Sequence, residues 1–311
     1  MQHGKEVCNM SFDPTKLHLE LLKNTPLTMR KRPEENLAEW QAKARARLTE
    51  FLGLPLIRTN ENFRIEWVNE DDSGFTETRF TFASEPDTDV LCHLLIPKNT
   101  SEGKIPLVIC LQGHSKGMHI SMGRPKFDGD EQTIHGGDRD FAKQIVARGQ
   151  AALVIEQRAF GERGGTAEGP VCHPVAMQAL LLGRTLIGER CWDVSRAIDV
   201  VSTHFPEIDL KKIAIMGNSG GGTVSIYAAA VDTRITAVMP SCAFCGYLAS
   251  IGALKHCVCN YIPGIAREFD MGDIAGLIAP RPLIIVNGLH DGIFPVDSAK
   301  EQAKIARRFY D

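Results

Sequence analysis

The sequence predicts an α/β domain with a mostly parallel central sheet, helices on both faces, and an N-terminal helical arm. Three observations support this prediction. Short alternating segments come first, continuous apolar runs of four or five residues follow, and helical stretches lie between those runs. Continuous apolar runs are typical of strands covered on both faces, and their alternation with helices is typical of a parallel sheet.

The N-terminal part of the chain predicts an arm followed by one helix. Residues 1–34 are polar and punctuated by proline, and we expect them to lie over the body of the protein. The stretch from Pro33 to Leu52 has helical composition, and Gly53 follows it as a stop signal. We therefore divide the chain into an arm and helix (1–54) and a main domain (55–311).

The strands and helices of the main domain are predicted from the period of the apolar residues. Three alternating segments, separated by turn residues, predict antiparallel strands at Phe63–Val68, Thr76–Phe82 and Val90–Ile96. Five apolar runs predict parallel strands at Leu107–Leu111, Ala151–Ile155, Ile213–Met216, Ile235–Met239 and Leu283–Val286. Helices are expected at Asp138–Arg148 and Glu189–His204.

The motif Gly217-Asn218-Ser219-Gly220-Gly221 directly follows one apolar run and precedes a helical stretch. Gly-x-Ser-x-Gly between a strand and a helix is the nucleophile elbow of α/β-hydrolases. Side chains two positions either side of the serine would collide with the neighbouring strand and helix, so glycine is needed there. We predict that Ser219 is the nucleophile; a glycine-rich turn with a surface serine is the alternative.

Two further loops supply the expected partners of Ser219. The loop after Leu107–Leu111 contains Gly113 and His114, and we expect Gly113 to line the substrate site. The backbone N–H of His114 is the candidate oxyanion donor, together with that of Gly220. Asp291 follows the last apolar run and is the candidate acid of the triad, although an aspartate between glycines also caps turns.

Several motifs together resemble the bacterial acetyl xylan esterase and cephalosporin-C deacetylase group. They are Gly-Asn-Ser-Gly-Gly-Gly at the elbow, Arg190-x-x-Asp193-x-x-Arg196-Ala197-x-Asp199, Gln157–Arg163, and Ala279-Pro280-Arg281-Pro282 leading into Asp291. The resemblance covers roughly residues 105–311 and implies an α/β-hydrolase fold, a Ser/Asp/His triad and the removal of acetyl or similar acyl groups from esters. Gln112-Gly113 stands where the family usually has His-Gly, and no histidine occupies the position of the family's base.

The catalytic histidine is therefore the missing member of the predicted site. A hydrolase triad runs serine, acid, histidine along the chain, with the histidine after the last strand. A helix, a short connection and one more strand would place it about 10–20 positions beyond Asp311, which implies that the main domain lacks its last strand here. His256 is the alternative from within the chain.

The segment Ser241–Ile265 is too irregular for a simple connection, and we expect an excursion that lines the substrate pocket. Its predicted substrate-binding residues are Phe244, Tyr247 and Tyr261. The pairs Cys242-x-x-Cys245 and Cys257-x-Cys259 invite a zinc interpretation. The second spacing is tight and no histidine pair completes a standard site, so we expect reduced cysteines and no metal.

Bulk properties point to a small-molecule partner. The net charge of −3 and the pI near 6.4 do not indicate binding to nucleic acid or to an anionic membrane. Nine cysteines at irregular spacing favour a reducing compartment, so we expect a cytoplasmic protein, with a homo-oligomer left open.

The predicted function is a serine hydrolase of short-chain, acetyl-type esters, including those of carbohydrates, without a cofactor. The alternatives are a prolyl-oligopeptidase-like peptidase and a non-catalytic binding protein.

Overall fold

The computed structural model describes residues 12–70, 74–98 and 103–311. Its strands are β1 (Arg64–Asn69), β2 (Phe75–Glu85), β3 (Thr88–Pro97), β4 (Ile105–Leu111), β5 (Ala151–Ile155), β6 (Ile208–Asn218) and β7 (Ile235–Ser241). Its α-helices are α1 (Pro14–Asn24), α2 (Leu37–Phe51), α3 (Asp130–His135), α4 (Phe141–Ala147), α5 (Cys172–Leu181), α6 (Leu186–His204), α7 (Gly220–Val231), α8 (Met271–Gly276) and α9 (Val296–Arg307).

The strands form one mixed sheet in the order β1-β2-β3-β5-β4-β6-β7. The pairs β1–β2, β2–β3 and β3–β5 are antiparallel. The pairs β5–β4, β4–β6 and β6–β7 are parallel. The parallel half brings the carboxyl ends of β4, β6 and β7 to one edge, where open α/β sheets bind ligands. The predicted order of antiparallel strands leading into a parallel sheet is confirmed.

The segment Leu283–Val286 differs from the prediction of a full strand. It runs parallel to β7 through isolated bridges at Val238–Leu283 and Ser241–Val286. The N–H of Ile284 donates to Val238 at 2.9 Å, but no further strand among the described residues pairs with its outer side, and Ile284 is 58% exposed. The segment is thus extended and bound to the sheet on one side.

Apolar side chains pack on both faces of the sheet. The larger core cluster joins one face to α2, α6, α7 and α8. A smaller cluster packs α4 and the loop after β4 against the other face, through residues such as Val108, Cys110, Ala142 and Val154. The continuous apolar runs predicted this arrangement, because a strand with neighbours on both faces has no polar side.

The N-terminal part is attached to the body by its second helix. Asn36 caps α2 by accepting from the N–H of Ala38 at 2.9 Å, and the buried face of α2 carries Trp40, Ala44 and Leu48. By contrast, α1 buries none of its residues. Residues 1–11 of the predicted arm lie outside the described residues. No helix among the residues that are described combines the length and the hydropathy needed to cross a membrane.

Candidate active site

Ser219 lies in the sharp turn between β6 and α7. Its backbone has φ 49° and ψ −118°, a region that side-chain-bearing residues rarely adopt. The turn is held because the N–H of Ser219 donates to the carbonyl of Ser241 at 2.7 Å, while its own carbonyl accepts from the N–H of Thr223 at 2.9 Å. A strained serine at the end of a parallel strand is the geometry of a nucleophile elbow.

The glycines around Ser219 are required by contacts with backbone. A Cβ on Gly217 would meet the backbone of Gly221, including its carbonyl. A Cβ on Gly221 would meet the carbonyl oxygens of Leu111 and Gln112, the latter at 2.5 Å. The collision that was predicted from the motif is therefore present in the structure.

The loop after β4 packs directly on the elbow. A Cβ on Gly113 would lie 2.7 Å from Asn218 Oδ1 and 3.2 Å from Ser219 Cβ. The imidazole of His114 covers Gly220, where a Cβ would lie 2.6 Å from His114 Cε1. The oxyanion roles of the His114 and Gly220 N–H groups stay predictions, but the loop and the elbow are in contact at these residues.

A buried carboxyl group, Glu156, supports this loop and was missed by the sequence analysis. Its Oε1 accepts from Gln112 Nε2 at 2.7 Å and from the N–H of Met118 at 3.1 Å. Burial raises the pKa of the Glu156 carboxyl to about 7. Gln112, which replaces the family's usual histidine, is thus used to anchor the start of the loop to the end of β5.

Asp291 lies in the loop that follows Leu283–Val286. Its Oδ1 accepts from the N–H groups of Ile293 at 2.8 Å and Phe294 at 3.0 Å, so it caps its own loop. No described residue hydrogen-bonds to its other oxygen, Oδ2. Because β6, β7 and this segment are parallel neighbours, Asp291 and Ser219 belong to the same edge of the sheet, and the acid role of Asp291 stays a prediction.

Among the described residues, no imidazole hydrogen-bonds to Ser219 or to Asp291. His256 contacts the acid loop, since its Nε2 lies 3.3 Å from the carbonyl of Ile293, and it also lies 2.9 Å from Ser250 Oγ. Burial lowers the pKa of His256. The structure thus places the alternative base against the loop of Asp291, without a direct bond to Asp291 itself.

The excursion after β7 is present, but its aromatic residues differ in exposure. Phe244 is completely buried in the larger core cluster, and the hydroxyls of Tyr227 and Tyr247 are hydrogen-bonded in the same core. Tyr261 is partly exposed and, with Tyr247, lines a cavity of about 520 Å³ against α1. Ser219 is not among the residues that line this cavity. Burial favours a packing role for Phe244, and pocket-lining by these residues stays an expectation.

The cysteines of the excursion are placed differently from the prediction. Cys257 and Cys259 meet His114 and Cys172, and the ligand atoms of the four residues all lie within 4.8 Å of one another. The expectation of metal-free cysteines rested on the absence of a histidine pair. The structure brings a single histidine to these cysteines, His114 from the loop after β4, together with Cys172 from the first turn of α5.

Arg158 and Arg163 form a buried ion-pair network. Arg158 Nη2 lies 2.8 Å from Asp193 Oδ1 and 2.9 Å from Glu85 Oε2, while Arg163 Nη1 lies 2.8 Å from Asp193 Oδ2. These two arginines depress the pKa of Asp193 against the opposing effect of its burial. The network joins the loop after β5 to α6.

Comparisons with known proteins agree with this geometry. The profile of the acetyl xylan esterase (AXE1) family matches residues 56–256. The Bacillus subtilis (strain 168) protein named "Putative hydrolase YtaP" is 28% identical over 215 residues, which are 67% of this chain and 67% of that protein. Two further curated relatives are matched over 52% and 42% of their own length.

Solved structures of esterases share the fold at low sequence identity. A "putative acetyl xylan esterase" from Bacteroides fragilis NCTC 9343 has a TM-score of 0.79 at 18% identity, over 97% of this chain and 79% of that chain. A glucuronoyl esterase from Solibacter usitatus has a TM-score of 0.66 at 16% identity, over 93% and 86%. Because the family profile covers more than half of the sequence, this chain belongs to the acetyl xylan esterase (AXE1) family and is a carboxylic ester hydrolase with the α/β-hydrolase fold.

Proposed function

We propose that Ser219 is the nucleophile of a serine esterase that removes acetyl or similar short acyl groups from carbohydrates. The strained turn of Ser219, with the Gly113 loop packed against it, is the observation that supports this proposal most strongly. The hydroxyl attacks the ester carbonyl, the alcohol leaves, and water then hydrolyses the acyl-enzyme. The N–H groups of Gly220 and His114 would bind the oxyanion, aided by the positive end of α7.

Asp291 is proposed to orient the histidine that accepts the proton of Ser219. Among the histidines of the described residues, His256 is the candidate for this role. His256→Ala tests the assignment: activity as low as that of a Ser219 variant would identify His256 as the base. Retained activity would exclude it.

Substitution of Ser219 tests the central proposal. Ser219→Ala should lower kcat on 4-nitrophenyl acetate and on acetylated xylo-oligosaccharides by about a thousandfold or more, because no nucleophile remains. Thermal stability should stay near that of the wild type, since the hydroxyl does not pack in the core. Ser202→Ala, on the exposed side of α6, is the control and should keep full activity. Unchanged hydrolysis by Ser219→Ala would rule out the proposed nucleophile.

The ester class is tested by a panel in which acyl and alcohol parts vary separately. We expect acetyl esters to be cleaved better than butyryl esters, and peptidyl 4-nitroanilides not to be cleaved. Labelling of Ser219 by a fluorophosphonate probe would exclude a non-catalytic binding protein. Preference for a methyl ester of glucuronate over acetyl esters would contradict the proposed acyl specificity.

We also propose a cytoplasmic location, from the odd number and irregular spacing of the nine cysteines. Fractionation of the source cells with an antibody to this chain tests the location. The oligomeric state stays open and is measured by light scattering.

A further inference from the structure

We propose that His114, Cys172, Cys257 and Cys259 form a structural Zn²⁺ site that fixes the loop after β4 to the elbow. The four residues come from three separate segments: the loop after β4, the start of α5, and the excursion after β7. Their ligand atoms lie within 4.8 Å of one another, and His114 Nε2 lies 3.1 Å from Cys259 Sγ. We refer to these four residues as the zinc cluster.

The donor set matches zinc in type, number and spacing. Three thiolates and one imidazole are a common tetrahedral combination, and Zn–S of about 2.3 Å with Zn–N of about 2.0 Å keeps the ligand atoms roughly 3.5–3.8 Å apart. Only small shifts are therefore needed from the observed separations. Four protein ligands leave no open position for water, so the site is structural and takes no direct part in ester hydrolysis.

The tight Cys257-x-Cys259 spacing is accommodated by the backbone. Cys257 has an extended conformation, with φ −63° and ψ 136°, and a short 3₁₀ turn follows it over Val258–Asn260. The turn brings both sulfur atoms to the same side, facing His114 and Cys172. Cys172 and Cys259 are buried, so the cluster is shielded from solvent as a closed site requires.

A buried arginine beside the cluster is an independent sign of negative charge there. Arg190 is only 1% exposed, and its Nη2 lies 3.4 Å from Cys172 Sγ. Among the described residues no carboxylate pairs with it, and its Nη1 has no hydrogen-bond partner. A buried cation requires a compensating charge. Zn²⁺ with three thiolates and a neutral imidazole carries −1, which balances Arg190.

Simple packing of neutral thiols accounts less well for these residues. The guanidinium of Arg190 donates to the carbonyl of Arg158 at 2.7 Å and lies over the ring of Phe160, but neither contact carries a net charge. Neutral thiols would therefore leave Arg190 without an anionic partner and would not use the imidazole that completes the set. On binding, Zn²⁺ displaces three thiol protons and bonds to three sulfur atoms and His114, so the reaction releases three protons and changes no oxidation state. No oxidant is required, in contrast to a disulfide.

The zinc cluster has a consequence for the proposed esterase, and this part rests on the proposed function. His114 would be a ligand through its ring while its backbone N–H serves the oxyanion hole. The ring also covers Gly220, the second proposed donor. Metal binding would therefore position both N–H groups without touching the substrate.

Elemental analysis of the purified chain, prepared without chelators, is the primary test. We expect one zinc ion per chain. Cobalt added to the zinc-free protein should give the intense visible bands of tetrahedral thiolate coordination. Cys257→Ser and Cys259→Ser should lose the zinc, while Cys245→Ser should retain it. Cys245 is a matched control, because it lies in the same excursion and its sulfur contacts the carbonyl of Pro295 at 3.7 Å, outside the zinc cluster.

Wild-type protein keeps the test valid if a variant fails to fold. Removal of zinc by a strong chelator should lower the Tm of the wild type, and Zn²⁺ but not Mg²⁺ should restore it, because thiolates do not suit Mg²⁺. Wild-type protein without zinc that also fails to bind cobalt would overturn the proposal. These readouts need no esterase activity: zinc without hydrolysis would contradict the proposed function alone, and hydrolysis without zinc would contradict the zinc cluster alone.

Discussion

At the residue scale, the elbow depends on the absence of a Cβ atom at its glycines. Gly217 and Gly221 lie where any Cβ would contact backbone, which cannot rotate away as a flexible side chain can. Gly113 and Gly220 allow the loop after β4 to approach Ser219 and His114 to cover the elbow. The motif is thus a set of close approaches between β4, β6 and α7.

The Gly221→Ala variant tests this at a single atom. The added methyl group would meet the carbonyl oxygens of Leu111 and Gln112, so the free energy of unfolding should fall by about 1–3 kcal/mol or more. Gly292→Ala is the control, because nothing lies within 4 Å of its added Cβ. Urea denaturation measures both. Equal stability of the two variants would show that the elbow can relax around a methyl group.

Site residues could be predicted from the sequence where the structural requirement for them comes from their immediate neighbours in the chain. Gly217, Ser219 and Gly221 are recognisable because the turn that requires them spans five consecutive residues. The meeting of His114 with Cys172, Cys257 and Cys259 was not recognisable, because it depends on three segments that converge only after the sheet has formed. Glu156 was missed for the same reason: its burial and its partner Gln112 are set by neighbouring strands.

At the element scale, the two N-terminal helices differ in what they bury. Helix α2 places Leu48 in the core and ties itself to the body through Arg45, whose side chain donates to the carbonyls of Ala230 and Leu277 at 2.8 Å. Helix α1 buries none of its residues. The proposed boundary at residue 54 therefore separates α2 from a core to which it contributes.

Truncation of one leucine in each helix tests this difference. Leu48→Ala should lower the free energy of unfolding by about 2–5 kcal/mol, because it leaves a cavity in the main core. Leu21→Ala, at a position that is 54% exposed, should change it by less than about 0.5 kcal/mol. Thermal and urea unfolding would measure both changes. A small effect of Leu48→Ala would mean that α2 is dispensable for the main domain.

The predicted strands agree with the structure where the run of apolar residues is continuous. The run Ala151–Ile155 is the strand β5 to the residue, whereas helix α5 was not predicted because its sequence, CHPVAMQALL, contains a proline and lacks an alternating polar face. The run Leu283–Val286 has the composition of a strand but pairs on one side only. Composition reports that a segment is apolar, but the number of its neighbours is a tertiary property.

At the scale of the whole molecule, the pH dependence of stability contains a contribution from Glu156. Its pKa in the folded protein is about 7, above the ordinary value of 4.5. Between these values the unfolded chain loses a proton that the folded chain keeps. The free energy of unfolding therefore falls as pH rises from about 4.5 to 7, by on the order of 3 kcal/mol, and this contribution is fully present only below 4.5.

Glu156→Gln should remove this part of the pH dependence. The difference in unfolding free energy between variant and wild type should shift in favour of the variant as pH rises from 4.5 to 7, and should level off above 7. Glu131→Gln removes the same charge at an exposed position and serves as the control. Denaturant unfolding at a series of pH values measures the curves, and a pH-independent difference for Glu156→Gln would contradict the assignment.

Main-chain hydrogen bonds between β6, β7 and the segment Leu283–Val286 lie beneath the candidate site, and they have a consequence for substrate binding. The N–H of Ser219 is bonded to Ser241, and the N–H of Cys242 is bonded to Val286, both at 2.7 Å. The nucleophile and the start of the acid loop are therefore joined by main-chain bonds across β7. Amide hydrogens at Ser219 and Cys242 should exchange slowly and together, and substrate should encounter these two parts already in register, with little reorganisation left for the binding step.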